Sequence, residues 1–207
     1  MKKLLFILTL LLVFTTGYAR NRGYYKVTLS SVEGTGLEGA ITNSLDVHTL
    51  LTMPEYIDSN MIIHFTFEPT HIDFDIYNCT KANMKIIWDE IVYVGGVELS
   101  SASVFHKGIK IIDREKPQTP TTILKETKYT DILILKSSVE WDSFYGRWMY
   151  YTILFGRDKM KEIKLLMPIM VGDTRYEYLF NFKVEWQDIK VKSRIYDGKE
   201  YYIQIKK

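Results

Sequence analysis

The chain has 207 residues, a formal net charge of +2, one cysteine, 46% hydrophobic side chains and 14% aromatic ones. That balance excludes a disordered chain, which buries too little apolar surface to fold, and a disulfide scaffold, which needs many cysteines. It also excludes a strongly basic nucleic-acid binder, because no cationic excess is present to neutralise phosphates.

Lys2 and Lys3 precede the apolar run Leu4–Phe14, and Gly17-Tyr18-Ala19 puts small side chains at the two positions a signal peptidase reads. This layout predicts a cleaved signal peptide over residues 1–19 and a mature domain over 20–207, exported to the periplasm, the envelope or the cell surface. The apolar run is shorter than the ~20 residues that span a bilayer, and no later one is long enough, so no transmembrane segment is expected after cleavage. Cleavage removes two lysines and no acid, leaving 25 basic side chains against 25 acidic ones. No electrostatic case for DNA, RNA or anionic lipid survives. Cys79 lies too far from the cleavage site to carry a lipid, and a buried thiol is expected.

In chain order, the first predicted strand is Tyr24–Leu29. Gly34, Gly36 and Gly39 follow, then a short helical or irregular insertion near residues 44–53. Ser44 is its expected cap, Val47, Leu50 and Leu51 have helical spacing, and Pro54 falls past its end. Met61–Phe67 reads as a strand, and Ile72, Phe74 and Ile76 alternate with His71, Asp73 and Asp75. Met84–Val94 follows, with a tight turn at Gly95-Gly96, then Val104–Ile112. Pro117 and Pro120 interrupt the chain before Thr121–Leu124, Asp131–Leu135, Trp148–Phe155 and Glu162–Met167. After Gly172-Asp173, a long strand alternates Tyr176, Tyr178, Phe180, Phe182, Val184 and Trp186 with more polar residues. Asp197-Gly198 closes a last hairpin between Ser193–Tyr196 and Lys199–Ile205. Many short strands and almost no helix predict an all-β protein, an antiparallel immunoglobulin-like β-sandwich in one domain. A closed barrel is the second architecture. An outer-membrane barrel is disfavoured, because the chain ends Ile205-Lys206-Lys207 rather than on an aromatic residue.

The segment Phe74-Asp75-Ile76-Tyr77-Asn78-Cys79-Thr80, followed by Ile86-Ile87-Trp88-Asp89-Glu90, is similar to secreted bacterial immunoglobulin-like sandwiches and to the late-embryogenesis-abundant β-sandwich. Val104–Gly108, Thr121–Leu124 and Trp148 fit the same pattern of uncharacterised exported proteins. The resemblance runs over about Met61–Glu185. It implies a fold, and it carries over no catalytic residues.

The sharpest candidate site is Trp141-Asp142-Ser143-Phe144-Tyr145-Gly146-Arg147-Trp148, a loop between two predicted strands. Aromatic faces stack on sugar rings while Asp and Arg bond hydroxyls, so Trp141, Asp142, Tyr145, Arg147 and Trp148 are the expected ligand-binding residues. The opposing reading folds Trp141 and Trp148 inward as a plug. His71, Asp73 and Asp75, with His64 nearby, could hold a cation, but same-face neighbours about 6–7 Å apart on one strand rarely close a coordination shell. No metal or other cofactor is therefore expected. Ser101, Ser103 and His106 are close in sequence, and Cys79 with His71 is a further nucleophile–base pair, yet no known catalytic motif surrounds either. No catalytic residue is assigned. Asn78-Cys79-Thr80 matches a glycosylation acceptor but is read as a structural turn.

These features predict an exported, non-enzymatic binding or structural module of the bacterial envelope. Its expected partner is a glycan, a peptide or an envelope protein. One alternative is a hydrolase using carboxylates such as Asp142. Another is an assembly subunit exchanging a strand at an edge formed by Arg175–Trp186.

Overall fold

The computed structural model describes residues 23–45, 52–156, 159–188, 191–196 and 199–204. The predicted signal peptide lies outside them. The strands are β1 (Gly23–Glu33), β2 (Ala40–Leu45), β3 (Thr52–Ile57), β4 (Met61–Phe67), β5 (Ile72–Asn78), β6 (Met84–Ile86), β7 (Val92–Gly95) and β8 (Ser100–His106). They continue as β9 (Thr121–Ile123), β10 (Lys128–Leu135), β11 (Val139–Asp142), β12 (Arg147–Tyr150), β13 (Glu162–Val171), β14 (Thr174–Asp188), β15 (Val191–Tyr196) and β16 (Lys199–Gln204). Single 3-10 turns cover Trp88–Glu90, Ile111–Asp113 and Lys136–Ser138. The protein is all-β and antiparallel.

Residues 25–186 form one compact unit. Its main sheet runs in the order β1-β14-β13-β7-β8-β10-β5-β4-β3-β2, with β6 and β9 attached beside β13. β8 turns the corner: Ser100–Ser103 pair with β7, while Val104–His106 pair with β10. The two halves thereby face each other, and the sheet is nearly closed. Phe65 of β4 meets Phe180 and Phe182 of β14 edge-on, with centroids 5.0 and 5.3 Å apart, and Phe67 meets Phe182 at 4.8 Å. Strict alternation produces this interior. Met61, Ile63, Phe65 and Phe67 of β4, like Tyr178, Phe180, Phe182 and Val184 of β14, are all buried. Truncating Phe65 to Ala would cost about 3–5 kcal/mol.

The open side of the path, between β1 and β2, is bridged by a side chain. Asn43 accepts the Leu29 amide through Oδ1 (2.7 Å) and donates from Nδ2 to the Leu29 carbonyl (3.0 Å). The amide group thus takes the place of a strand backbone. A second tie joins the two halves where the β3–β4 turn meets β14. The Asp58 carboxylate accepts the Tyr178 hydroxyl (3.0 Å) and caps the amides of Asn60 and Met61, both at 2.8 Å.

Several predicted elements differ in the structure. Ser44 belongs to β2 and Pro54 to β3, where the two strands pair through Ser44↔Met53 and Asn43↔Pro54, so neither residue bounds a helix. Positions 46–51, including Val47, Leu50 and Leu51, lie outside the described residues. Met84–Val94 is broken at Trp88, a buried residue that opens the 3-10 turn Trp88–Glu90 instead of continuing a strand. The Gly95-Gly96 turn is wider than two residues: Gly95 pairs with Ser100, so the loop is 96–99. Val104–Ile112 ends as a strand at His106, and Trp148–Phe155 ends at Tyr150. Arg175–Trp186 lies within β14, which is flanked by β1 and β13, so it is not a free edge. Cys79 is half-buried, not enclosed. Gly172, at φ 57°, makes the two-residue turn between β13 and β14 that the sequence signals.

The outward faces of these strands carry His64, Asp73, Asp75, Lys164, Asn181 and Lys183, half-buried or exposed. Among the described residues, no helix is long and apolar enough to cross a membrane. The second unit contains the β15–β16 hairpin, paired from Val191↔Gln204 to Tyr196↔Lys199.

Candidate functional site

After β10 the chain turns through Lys136–Ser138 and rises into a two-stranded sheet of its own, β11 with β12. The register pairs Val139 with Tyr150, Glu140 with Met149, Trp141 with Trp148 and Asp142 with Arg147. Directly opposed residues share a face, and successive ones alternate. One face therefore carries Val139, Trp141, Trp148 and Tyr150, the other Glu140, Asp142, Arg147 and Met149.

Val139, buried at the base, anchors the hairpin against Phe105 and Ile134. Trp148 is half-buried on that same cluster, and the Arg114 guanidinium lies 5.1 Å above its ring. Trp141 stands edge-on to Trp148 at 5.5 Å and is 54% exposed. At the tip, Asp142 Oδ1 accepts the amides of Phe144 (2.9 Å) and Tyr145 (3.1 Å), which fixes the turn. Phe144 is 87% exposed and Tyr145 63%, their rings edge-to-face at 4.9 Å. The Arg147 guanidinium lies 5.4 Å from the Tyr145 ring.

The five residues expected from the sequence thus share one hairpin but divide between its faces. Trp141 and Trp148 lie together, while Asp142 and Arg147 lie opposite, with Arg147 reaching Tyr145. The segment is a paired hairpin rather than a loop, and its most exposed ring, Phe144, was not among the five. Asp142 and Gly146, four residues apart, were the signal for a turn that would lift Phe144 to the tip.

The other candidate clusters resolve into contacts between histidine rings and carboxylates. His64 on β4 is bracketed by Glu55 of β3 (Nε2 to Oε2, 2.5 Å) and Asp75 of β5 (Nδ1 to Oδ2, 3.0 Å), and Lys128 also reaches Asp75 at 3.0 Å. His71 faces Asp73 at 3.5 Å. Among the described residues, no group of three His, Cys, Asp or Glu side chains is arranged to hold a metal ion. Ser101 and Ser103 lie an odd number of positions from His106 on β8, hence on its other face. His71 and Cys79 flank β5 at opposite ends, about 25 Å apart.

His106 has a carboxylate partner instead. Its Nδ1 is 3.0 Å from Asp131 Oδ2, and its ring stacks on Trp88 at 4.3 Å. Asp131 also accepts the Tyr129 hydroxyl and the amides of Lys107 and Ile132. Burial, with the Asp131 carboxylate beside it, pushes the Tyr129 hydroxyl up to about 12. The cluster joins β8 to β10 through His106 and Asp131.

Asn78 is fully buried and committed to its turn. Nδ2 donates to the carbonyls of Ala82 (2.8 Å) and Leu124 (3.1 Å), while Oδ1 accepts the Thr80 amide (3.0 Å) and hydroxyl (2.8 Å).

The chain matches no protein-family model, no curated protein and no solved structure.

Proposed function

We propose that this protein is an exported, non-enzymatic binding or structural module of the bacterial cell envelope that contacts glycans through the aromatic hairpin 141–148. The observation that carries the reading is the exposure of Trp141, Phe144 and Tyr145 on a hairpin whose base is packed into the fold. Large rings left in water on an anchored protrusion cost roughly 25 cal/mol for each Å² of apolar surface they expose, and a partner recovers it. Such rings stack on the C–H faces of sugars, and Arg147 beside Tyr145 offers donors for hydroxyls. Export rests on the signal-like pattern of residues 1–19. The narrower architecture, an immunoglobulin-like sandwich, belongs to the same proposal, and the two sheet halves that meet ring against ring across the core support it.

The test is binding of the purified protein to a panel of immobilised glycans and peptides, beside Trp141→Ala/Phe144→Ala. Both side chains are exposed, so the variant should melt with the wild type while glycan binding is lost. Equal binding by the two proteins, or binding to peptides alone, would overturn the reading. The hydrolase alternative has one observation in its favour: Glu140 and Asp142 share a face of β11, about 7 Å apart. It requires turnover that Glu140→Gln abolishes.

A further inference from the structure

At the root of the hairpin, a cavity of about 280 Å³ opens between the β7–β8 loop and residues 151–155. Its wall is joined to the hairpin, for Ser138 and Tyr151 flank β11 and β12, and the Tyr151 amide donates to the Ser138 carbonyl at 2.8 Å.

We infer that this cavity is a binding site for a neutral, polyhydroxylic ring, a single pyranose unit. Three observations converge. First, the Tyr93 hydroxyl is buried in the lining and has no hydrogen-bond partner among the described residues, although Tyr93 is only 3% exposed. Buried hydroxyls are nearly always bonded, so this one points to a ligand group that completes it. Its placement is built in. The ring lies along the strand over Gly95, where a Cβ would come within 2.4 Å of the hydroxyl oxygen, so only glycine at 95 admits it. Second, the lining adds the hydroxyls of Ser100 and Ser137 and no charged side chain. Such a surface suits a neutral ligand rich in hydroxyls, while a carboxylate or ammonium would lie there unpaired. Third, Tyr151 and Phe155 line the same cavity and are 49% and 43% exposed, offering ring faces to the C–H side of a sugar. Burial holds the Tyr93 hydroxyl protonated well above neutral pH, so it remains a donor.

This site does not depend on the hairpin being a contact surface, and the experiment separates the two. The purified protein is titrated with methyl β-D-glucopyranoside, methyl β-D-galactopyranoside and N-acetylglucosamine, with glucuronate and glucosamine as charged controls, following backbone amides by NMR. A ligand of this size at ordinary efficiency binds with Kd on the order of 1 mM, so titration to about 20 mM approaches saturation. The expected result is that at least one neutral sugar moves the amides of Ser101 and Tyr151, with the charged sugars binding more weakly. Tyr93→Phe removes one oxygen without changing shape, and should weaken binding roughly three- to tenfold. The inference is overturned if no neutral sugar moves those amides, if charged sugars bind equally well, or if Tyr93→Phe binds like wild type. Neutral-sugar shifts confined to the amides of residues 141–148 would also overturn it, moving the sugar to the hairpin.

Discussion

Asn43 offers the sharpest test of how the main sheet is held shut. Its amide makes two hydrogen bonds, of 2.7 and 3.0 Å, to the backbone of Leu29, a residue 2% exposed on the strand at the other end of the sheet. Each bond contributes a net ~0.5–1.5 kcal/mol, so Asn43→Ala should cost about 2 kcal/mol. At this chain length that lowers Tm by about 4–8 °C. Asn43→Asp distinguishes the mechanism. Its carboxylate can accept the Leu29 amide but meets the Leu29 carbonyl with a second oxygen, so it should be at least as damaging as Ala at neutral pH. Protonation restores a donor, which raises the folded-state pKa of the new carboxyl. The Asp deficit relative to wild type should therefore narrow as pH falls below about 4, while the Ala deficit does not. Thermal melts of the three proteins at both pH values are sufficient. An Asn43→Ala Tm within about 1 °C of wild type, or an Asp deficit indifferent to pH, would refute the bridging role.

Burial pushes the hydroxyls of Tyr56 and Tyr129 up to about 12, aided by Asp58 and Asp131, and raises Tyr93 and Tyr178 further. The folded state then holds these protons more tightly than the unfolded chain, so the tyrosines' contribution to stability should be constant up to about pH 10 and fall above it. Urea unfolding followed by circular dichroism checks this, and a midpoint unchanged at about pH 11 would contradict it. Asn78→Ala removes an amide bonded to Ala82, Leu124 and Thr80 and should cost about 3 kcal/mol in chemical denaturation, whereas a loss below about 1 kcal/mol would contradict its role. In acrylamide quenching, Trp141→Phe should remove a larger accessible, red-shifted component than Trp148→Phe does, because Trp141 is 54% exposed and Trp148 is packed on Phe105 and Val139. Equal losses would contradict that placement.

Where alternation ran unbroken, the sequence was readable. Met61–Phe67 and Tyr176–Trp186 alternate over their full length because one face of each lines a single core. Ser44 and Pro54 misled because β2 and β3 carry little alternation, and the binding of Asn43 to Leu29 is a contact between strands with no local signature. The break at Trp88 has the same origin: the Asp89 carboxylate that follows it accepts the Gln118 amide, 29 residues away. The aromatic segment stood out by composition. Its division into two faces depended on the register Trp141↔Trp148, which follows only once the turn is known to span four residues. Nothing local distinguished Tyr93 from a core tyrosine, since the cavity it lines is completed by residues 135–155.

The claim that the hairpin is the contact surface is tested most directly by acrylamide quenching of the wild-type protein with and without the oligosaccharide that binds it most tightly in the glycan panel. A bound sugar stacked on the hairpin should cover Trp141 and sharply lower the quenching constant, an effect absent in Trp141→Phe. Binding that leaves the quenching constant unchanged would place the glycan elsewhere and contradict the account.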